Sequence, residues 1–207
     1  MEDIKSTIEW LGHDSFRIRG DGRVIYIDPW QIAEGVPADI ILITHDHFDH
    51  CSPDDVAKIQ SGDTEIVTVE AAAKQLSGQV TVVKPGDEIT VKGVPVSVIP
   101  SYNTDKDFHP KDAGYVGFII TLEGQRIYHT GDADVIPEMD SIAADILLVP
   151  VSGTYVMDVD AAVQASSIIK PKVAIPMHVG RGIGSLDDLE KFKEKASVPV
   201  LVLPMEK

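Results

Sequence analysis

The chain has 207 residues, 43% of them hydrophobic and 25% charged, which is enough for one well-formed core and excludes a disordered polyelectrolyte. Its 33 acidic residues against 18 scattered basic ones give a formal net charge of −15, a balance that argues against nucleic acid as a partner. No run of about 18 apolar residues is present to cross a membrane, and Met1-Glu2-Asp3-Ile4-Lys5 lacks the basic-then-apolar form of a secretory leader, so the expected compartment is the cytoplasm.

Along the chain, Thr7 to Leu11, Phe16 to Arg19 and Val24 to Ile27 read as strands, with Gly20-Asp21-Gly22 as a hairpin turn. The apolar run Ile40 to Thr44 reads as a strand buried on both faces. A short helix is expected from about Pro53, with Ser52 as its cap and Asp54 and Asp55 toward the positive end of its dipole. A strand near Glu65 to Val69 and an Ala-rich helix near Glu70 to Leu76 come next, then strands near Val80 to Val83, Ile89 to Val91 and Val94 to Ile99. In the second half, Tyr115 to Leu122 and Gln125 to Tyr128 flank a Glu123-Gly124 turn, and the apolar run Ile146 to Val149 follows. A helix from Val159 to Lys170, capped by Asp158, precedes the strand Val173 to Pro176. Ser185 is expected to cap a final helix of about ten residues, and Val200 to Leu203 to close the chain as a strand. Nothing reads as a linker or repeat, so residues 1–207 are expected to form one mixed α/β domain.

The chemistry concentrates in His45-Asp46-His47-Phe48-Asp49-His50, directly after the Ile40 to Thr44 strand. Imidazoles and carboxylates are ligands that zinc-like divalent cations accept, so a metal site is the leading reading. The carboxyl end of a buried strand is where open α/β sheets carry ligands. His45, His47 and Asp49 recur at intervals of two whereas His50 breaks the alternation, a pattern that suggests two neighbouring ions. Two metals about 3.5–4 Å apart would let a bridging water become hydroxide near neutral pH.

This His-x-His-x-Asp-His arrangement resembles the signature of the metallo-β-lactamase superfamily. Tyr128-His129-Thr130-Gly131-Asp132 resembles the family's Gly-Asp segment, and Pro176-Met177-His178 its late histidine. The resemblance implies a four-layer αββα sandwich with the metals at one edge between two facing β-sheets. It implies His45 and His47 on metal one, Asp49, His50 and His178 on metal two, and Asp132 bridging both, with Asp49 and Asp132 at the centre of catalysis. The family usually supplies a further histidine for metal one. Only His109 lies in the required interval, yet alignment of the strand ending at Pro100 puts the ligand position near Tyr102; His109 as ligand and His109 as a loop residue before Pro110 both stand. Gly12-His13-Asp14-Ser15-Phe16 and Asp28-Pro29 resemble segments of the compact branch that includes ascorbate-6-phosphate lactonase and the phosphodiesterase that cleaves N-acyl phosphatidylethanolamines.

Within that resemblance, His13 and Asp28 are expected to orient ligand histidines, and His129 to turn away from the metals. Tyr102, Tyr155 and Arg181 are expected to touch substrate. Cys51, the single cysteine, rules out an internal disulfide and reads as structural. The implied activity is a metal-dependent hydrolase, with two Zn2+ ions (Mn2+ and Fe2+ as alternatives) and a bridging hydroxide that cleaves a small ester, lactone or phosphodiester. An anionic small molecule is compatible with the acidic chain, because two dications reverse the local potential. Two alternatives remain open: a metal-binding or regulatory scaffold without hydrolysis, and an iron-dependent redox enzyme. Flavodiiron proteins usually carry a glutamate where this chain has His47, which weighs against the last.

Overall fold

The computed structural model describes residues 7–206; the leader-free reading of Met1 to Lys5 lies outside the described residues. The strands form two six-stranded sheets. In the first, β1 (Ile8–Gly12), β2 (Ser15–Gly20) and β3 (Arg23–Ile27) run antiparallel, and β4 (Ile40–Ile43), β5 (Glu65–Thr68) and β6 (Gln79–Val82) extend it in parallel. The second repeats this grammar. Its antiparallel part is β7 (Glu88–Val91), β8 (Val94–Pro100), β9 (Val116–Leu122) and β10 (Gln125–His129), and β11 (Ile146–Pro150) and β12 (Val173–Met177) add in parallel.

Parallel neighbours need crossovers, and α-helices supply three of the five. Helix α1 (Pro53–Ile59) joins β4 to β5, α2 (Glu70–Ala73) joins β5 to β6, and α3 (Val159–Ile169) joins β11 to β12, while α4 (Asp187–Lys195) follows β12. Helices α3 and α4 pack on each other and on β11 and β12. The architecture is the expected αββα sandwich. Strands β4, β11 and β12 are buried at every position, as parallel strands covered on both faces must be, whereas the edge strands β6 and β7 are largely exposed. The caps of α1 and α3 form as read: Ser52 Oγ accepts from the Asp55 N–H, and Asp158 accepts from the Ala161 N–H at 2.8 Å.

Three expectations need correction. Helix α2 ends at Ala73, short of Leu76. Ser185 does not cap α4; its hydroxyl accepts from the Asp187 N–H at 3.2 Å in a local turn, and the cap position falls to Leu186. Val200 to Leu203 is not a strand. Only Val200 bridges to Ala174, and Pro199 and Pro204, which lack N–H donors, bracket the segment.

Strand directions decide where the chemistry lies. β1 runs parallel to β3 and β4, so their carboxyl ends share one edge of the first sheet; β8, β10, β11 and β12 likewise share one edge of the second. The two edges meet where the Val116 N–H, at the start of β9, donates to the Thr44 carbonyl at 3.1 Å. Three of these strand ends run into a residue in the left-handed region: His13 (φ 53°), Asp28 (φ 44°) and His178 (φ 63°). Each such residue costs about 1–3 kcal/mol and persists only where its surroundings hold it. All three are buried at the common edge.

Candidate metal centre

The motif after β4 and the loop after β8 bring three imidazoles together. His45 Nε2 lies 3.0 Å from His47 Nδ1, and His109 Nε2 lies 3.2 Å from the same atom. His47 Nδ1 can donate one proton to one neighbour at most, so the remaining lone pairs face a shared point, as cation ligands do. The structure therefore brings His109 to His45 and His47. The return of the chain is made by Asn103, whose N–H donates to the His109 carbonyl at 2.8 Å while its Oδ1 accepts from the His109 N–H at 3.0 Å.

A second cluster lies deeper. His50 and His178 gather with His13 and Asp14, all four buried. Asp49 is engaged by His13, with Oδ2 3.3 Å from Nε2, and also lines the open cleft. Between the clusters stands Asp132. Its Oδ2 lies 3.2 Å from both His109 Nε2 and His178 Nε2, 3.4 Å from His50 Nε2 and 4.0 Å from His45 Nε2. The tight turn at Gly131 (φ 61°) sets this position; a side chain there would come within 2.8 Å of the Val116 carbonyl.

Hydrogen bonds on the outer ring nitrogens fix which nitrogen faces inward. His50 Nδ1 donates to Asp28 Oδ2 at 2.8 Å, and Asp28 also accepts from the Thr44 N–H at 2.8 Å and the Thr44 hydroxyl at 2.6 Å. With its proton given to Asp28, Thr44 Oγ1 accepts from His45 Nδ1 at 2.9 Å. His109 Nδ1 donates to Asn103 Oδ1 at 3.1 Å, and His178 Nδ1 meets Ser152 Oγ at 2.7 Å. His45, His50, His109 and His178 thus present Nε2 to the centre, whereas His47 presents Nδ1.

Charge follows the same geometry. Burial and the neighbouring His50 hold His45 well below the ordinary histidine range. Burial likewise holds His13 neutral, down to about 4. For His50, burial opposes charging, yet Asp132 and Asp28 outweigh it and raise the imidazole well above its ordinary value. Burial resists ionisation of Asp132 and Asp49, but His50 and His178 hold Asp132 low, and His13 and His50 bring Asp49 down to about 2. For Asp14, burial and the Asp132 carboxylate outweigh the pull of His50 and push it well above the carboxylate range.

These groups suit a divalent cation. His50 Nε2, Asp132 Oδ1, His13 Nδ1 and both Asp14 oxygens are buried with no hydrogen-bond partner among the described residues. Unpaired buried polar groups cost about 1–3 kcal/mol each, and coordination removes that cost.

His129 is turned away, its Nε2 donating to the Asp14 carbonyl at 3.0 Å and its Nδ1 accepting from the Gly131 N–H at 3.1 Å. Tyr102 lies off the cleft, its hydroxyl donating to Glu138 at 2.9 Å and accepting from Lys111 at 3.1 Å. Arg181 does not line the cleft either; it donates to the Leu11 carbonyl at 2.6 Å and braces the β1 end. Tyr155 does line it. Cys51 is buried, its Sγ 3.9 Å from the Ala72 carbonyl, outside the ligand clusters. Thr44, Asn103, Ser152 and Asp14 are site residues that sequence reading missed. Thr44 and Asp14 had a signal, adjacency to a site histidine at a strand end; Asn103 and Ser152 had none.

Comparison with known proteins identifies the family. Residues 7–178 match the family described as "Beta-lactamase superfamily domain". A UPF0173 metal-dependent hydrolase of Archaeoglobus fulgidus is 34% identical over 191 residues, covering 83% of this chain and 82% of that one. One from Thermoplasma acidophilum is 33% identical with full coverage of both chains. A crystal structure from Parabacteroides distasonis, assigned as a metal-dependent hydrolase, superposes with a TM-score of 0.85 at 32% identity, covering 96% of this chain and 93% of that one. Fold, site and sequence converge, and the chain belongs to the β-lactamase superfamily, among its metal-dependent hydrolases.

Proposed function

We propose that this chain hydrolyses a small ester, lactone or phosphodiester at a binuclear centre in which His45, His47 and His109 hold one ion, Asp49, His50 and His178 the other, and Asp132 both. The observation that carries the reading is the position of Asp132 Oδ2, within 3.4 Å of ligand nitrogens from both clusters. Bound there, two divalent cations supply an activated water at neutral pH and polarise the electrophile. The chain's own part is to hold the ligands in one tautomer through Asp28, Thr44, Asn103 and Ser152, and to confine the reaction to a cleft between the sheet edges. Imidazole and carboxylate donors suit zinc first and accept manganese or iron. The net charge of −15 and the lone buried thiol support a cytoplasmic enzyme with a small-molecule substrate, acting as one domain over residues 1–207. The test is Asp132→Ala: elemental analysis should find less bound metal, and a panel of esters, lactones and phosphodiesters should find no turnover. Full activity in metal-verified Asp132→Ala protein would refute the assignment.

A further inference from the structure

The cleft over the centre has a volume of about 550 Å³, within the range of small-molecule sites. Its rim is apolar in an unusual place. Phe48 sits between His47 and Asp49 and is 71% exposed; Phe108, beside His109, is 50% exposed, and Tyr155 across from it 39%. The rings are held rather than loose: Phe108 packs edge-on against Tyr155 with centroids 4.8 Å apart, and Phe48 against Trp30 at 5.9 Å. Ile183 completes the apolar side. Large apolar groups left in water beside a reactive centre are costly unless a ligand covers them.

No lysine or arginine lines this cleft, and its charged lining besides the ligand set is Asp46. Lys106 pairs with Asp105 and Asp134, and Lys111 with Glu138; Arg181, which does not line the cleft, donates to the Leu11 carbonyl and keeps its Nε unpaired. A phosphate or sulfate group extending beyond the metals would meet aromatic edges and a carboxylate, with no cation to receive it.

Resting on the hydrolase reading above, we infer that the substrate is an uncharged ester or lactone whose apolar arm lies between Phe48, Phe108 and Tyr155. The bond cleaved is the acyl carbon–oxygen bond; water adds to the carbonyl carbon, and the alcohol leaves with the proton. Each methylene of the arm that enters the cleft should raise kcat/KM about threefold, the transfer gain of a buried CH2 reduced for a rim open on one side.

The experiment is a set of p-nitrophenyl acetate, butyrate, hexanoate and phosphate assayed with metal-loaded protein. The expected result is a rise of about threefold per methylene across the esters, with p-nitrophenyl phosphate at least about a hundredfold poorer than the hexanoate. Phe108→Ala and Phe48→Ala, each checked for metal content, should flatten the chain-length slope, and Phe108→Lys should shift preference toward the phosphate. A flat slope with measurable ester turnover, or phosphate as the better substrate, would overturn this inference and leave the hydrolase reading intact. Calorimetric binding of acetamide against hexanamide reads the cleft without turnover. Tighter hexanamide binding with no hydrolysis of any substrate would overturn the hydrolase reading while the apolar cleft stands; equal binding of the two amides would overturn the cleft.

Discussion

Asp28 is fully buried, its carboxylate accepts three hydrogen bonds, and among the proposed ligands it is hydrogen-bonded to His50 Nδ1. Asp28→Asn changes one oxygen to an amide and little else, because the left-handed backbone at this position (φ 44°) is one that asparagine also adopts. One side-chain oxygen still accepts from the Thr44 N–H. The new NH2 group then faces two donors, the Thr44 hydroxyl and His50 Nδ1–H. The hydroxyl can rotate; the imidazole can accept only by moving its proton to Nε2, the atom turned toward Asp132. A protonated Nε2 cannot ligate. Loss of such a ligand-orienting carboxylate costs about 10–100-fold in metal affinity, or about 1.4–2.8 kcal/mol at about 1.4 kcal/mol per decade. Loss of one hydrogen bond to a charged group is worth about 1.5–3 kcal/mol, so two independent routes agree. Competition with a chromophoric chelator measures the affinity, and long-range 1H–15N spectra of His50 report the tautomer. If the variant binds both ions within about twofold of wild type and His50 keeps Nδ1 protonated, the orienting role of Asp28 is wrong.

Further outcomes follow from the same geometry. Asn103→Ala removes the acceptors of both His109 N–H groups and should weaken one ion by about 10–100-fold while sparing the other; dialysis against chelator should leave one tight equivalent per chain, and two tight equivalents would contradict the pairing. Gly131→Ala should lower stability by about 1–3 kcal/mol, seen as a Tm drop of about 2–4 °C per kcal/mol, since its φ is 61° and a side chain would press on the Val116 carbonyl at 2.8 Å; an unchanged Tm would show that the turn relaxes. Burial lifts the Cys51 thiol from 9.0 to about 12. A group raised on folding stabilises fully below its unfolded value and loses that contribution as pH climbs through its folded one. The chain should therefore lose stability between pH 9.0 and about 12, and Cys51→Ala should flatten that slope; in the native protein at pH 8 the thiol should resist disulfide reagents, and rapid labelling would count against its burial.

How much of this was legible in the sequence depended on whether a group acts near its own strand. His45 to His50 could be read because ligand-type residues crowd directly after a fully apolar run, and Asp132 and His178 because each also follows a strand end within three residues. The paired sheets followed from strands with clear alternation or continuous burial. His109 could not be settled, because its place depends on two hydrogen bonds across the loop from Asn103. Tyr102 was misread for the matching reason: strand alignment ran on where the chain had already turned toward Glu138. Arg181 went astray because its partner is a backbone carbonyl 170 residues away, which leaves no mark in side-chain spacing. Val200 to Leu203 has strand composition, but propensity does not create ladder donors where prolines flank the segment.

With His109 as a ligand, as proposed, the Asn103–His109 pinch also makes metal affinity a property of the loop. His45 and His50 stand on the turn directly after β4, and His178 on the end of β12, positions already set by the folded sheets; His109 is held at the centre by the two hydrogen bonds that tie residues 103 and 109 together. The free energy of ordering that segment is therefore contained in the binding constant of the ion it touches, and ion and loop stabilise one another by the same amount. Substitutions at Thr104 to Asp107, which include none of the proposed ligands, can tune occupancy by changing how readily the open loop closes. Phe108 rides on the same segment, so loss of the ion would also loosen one wall of the cleft. Metal supply and substrate access then become a single equilibrium, adjustable from the surface of the protein.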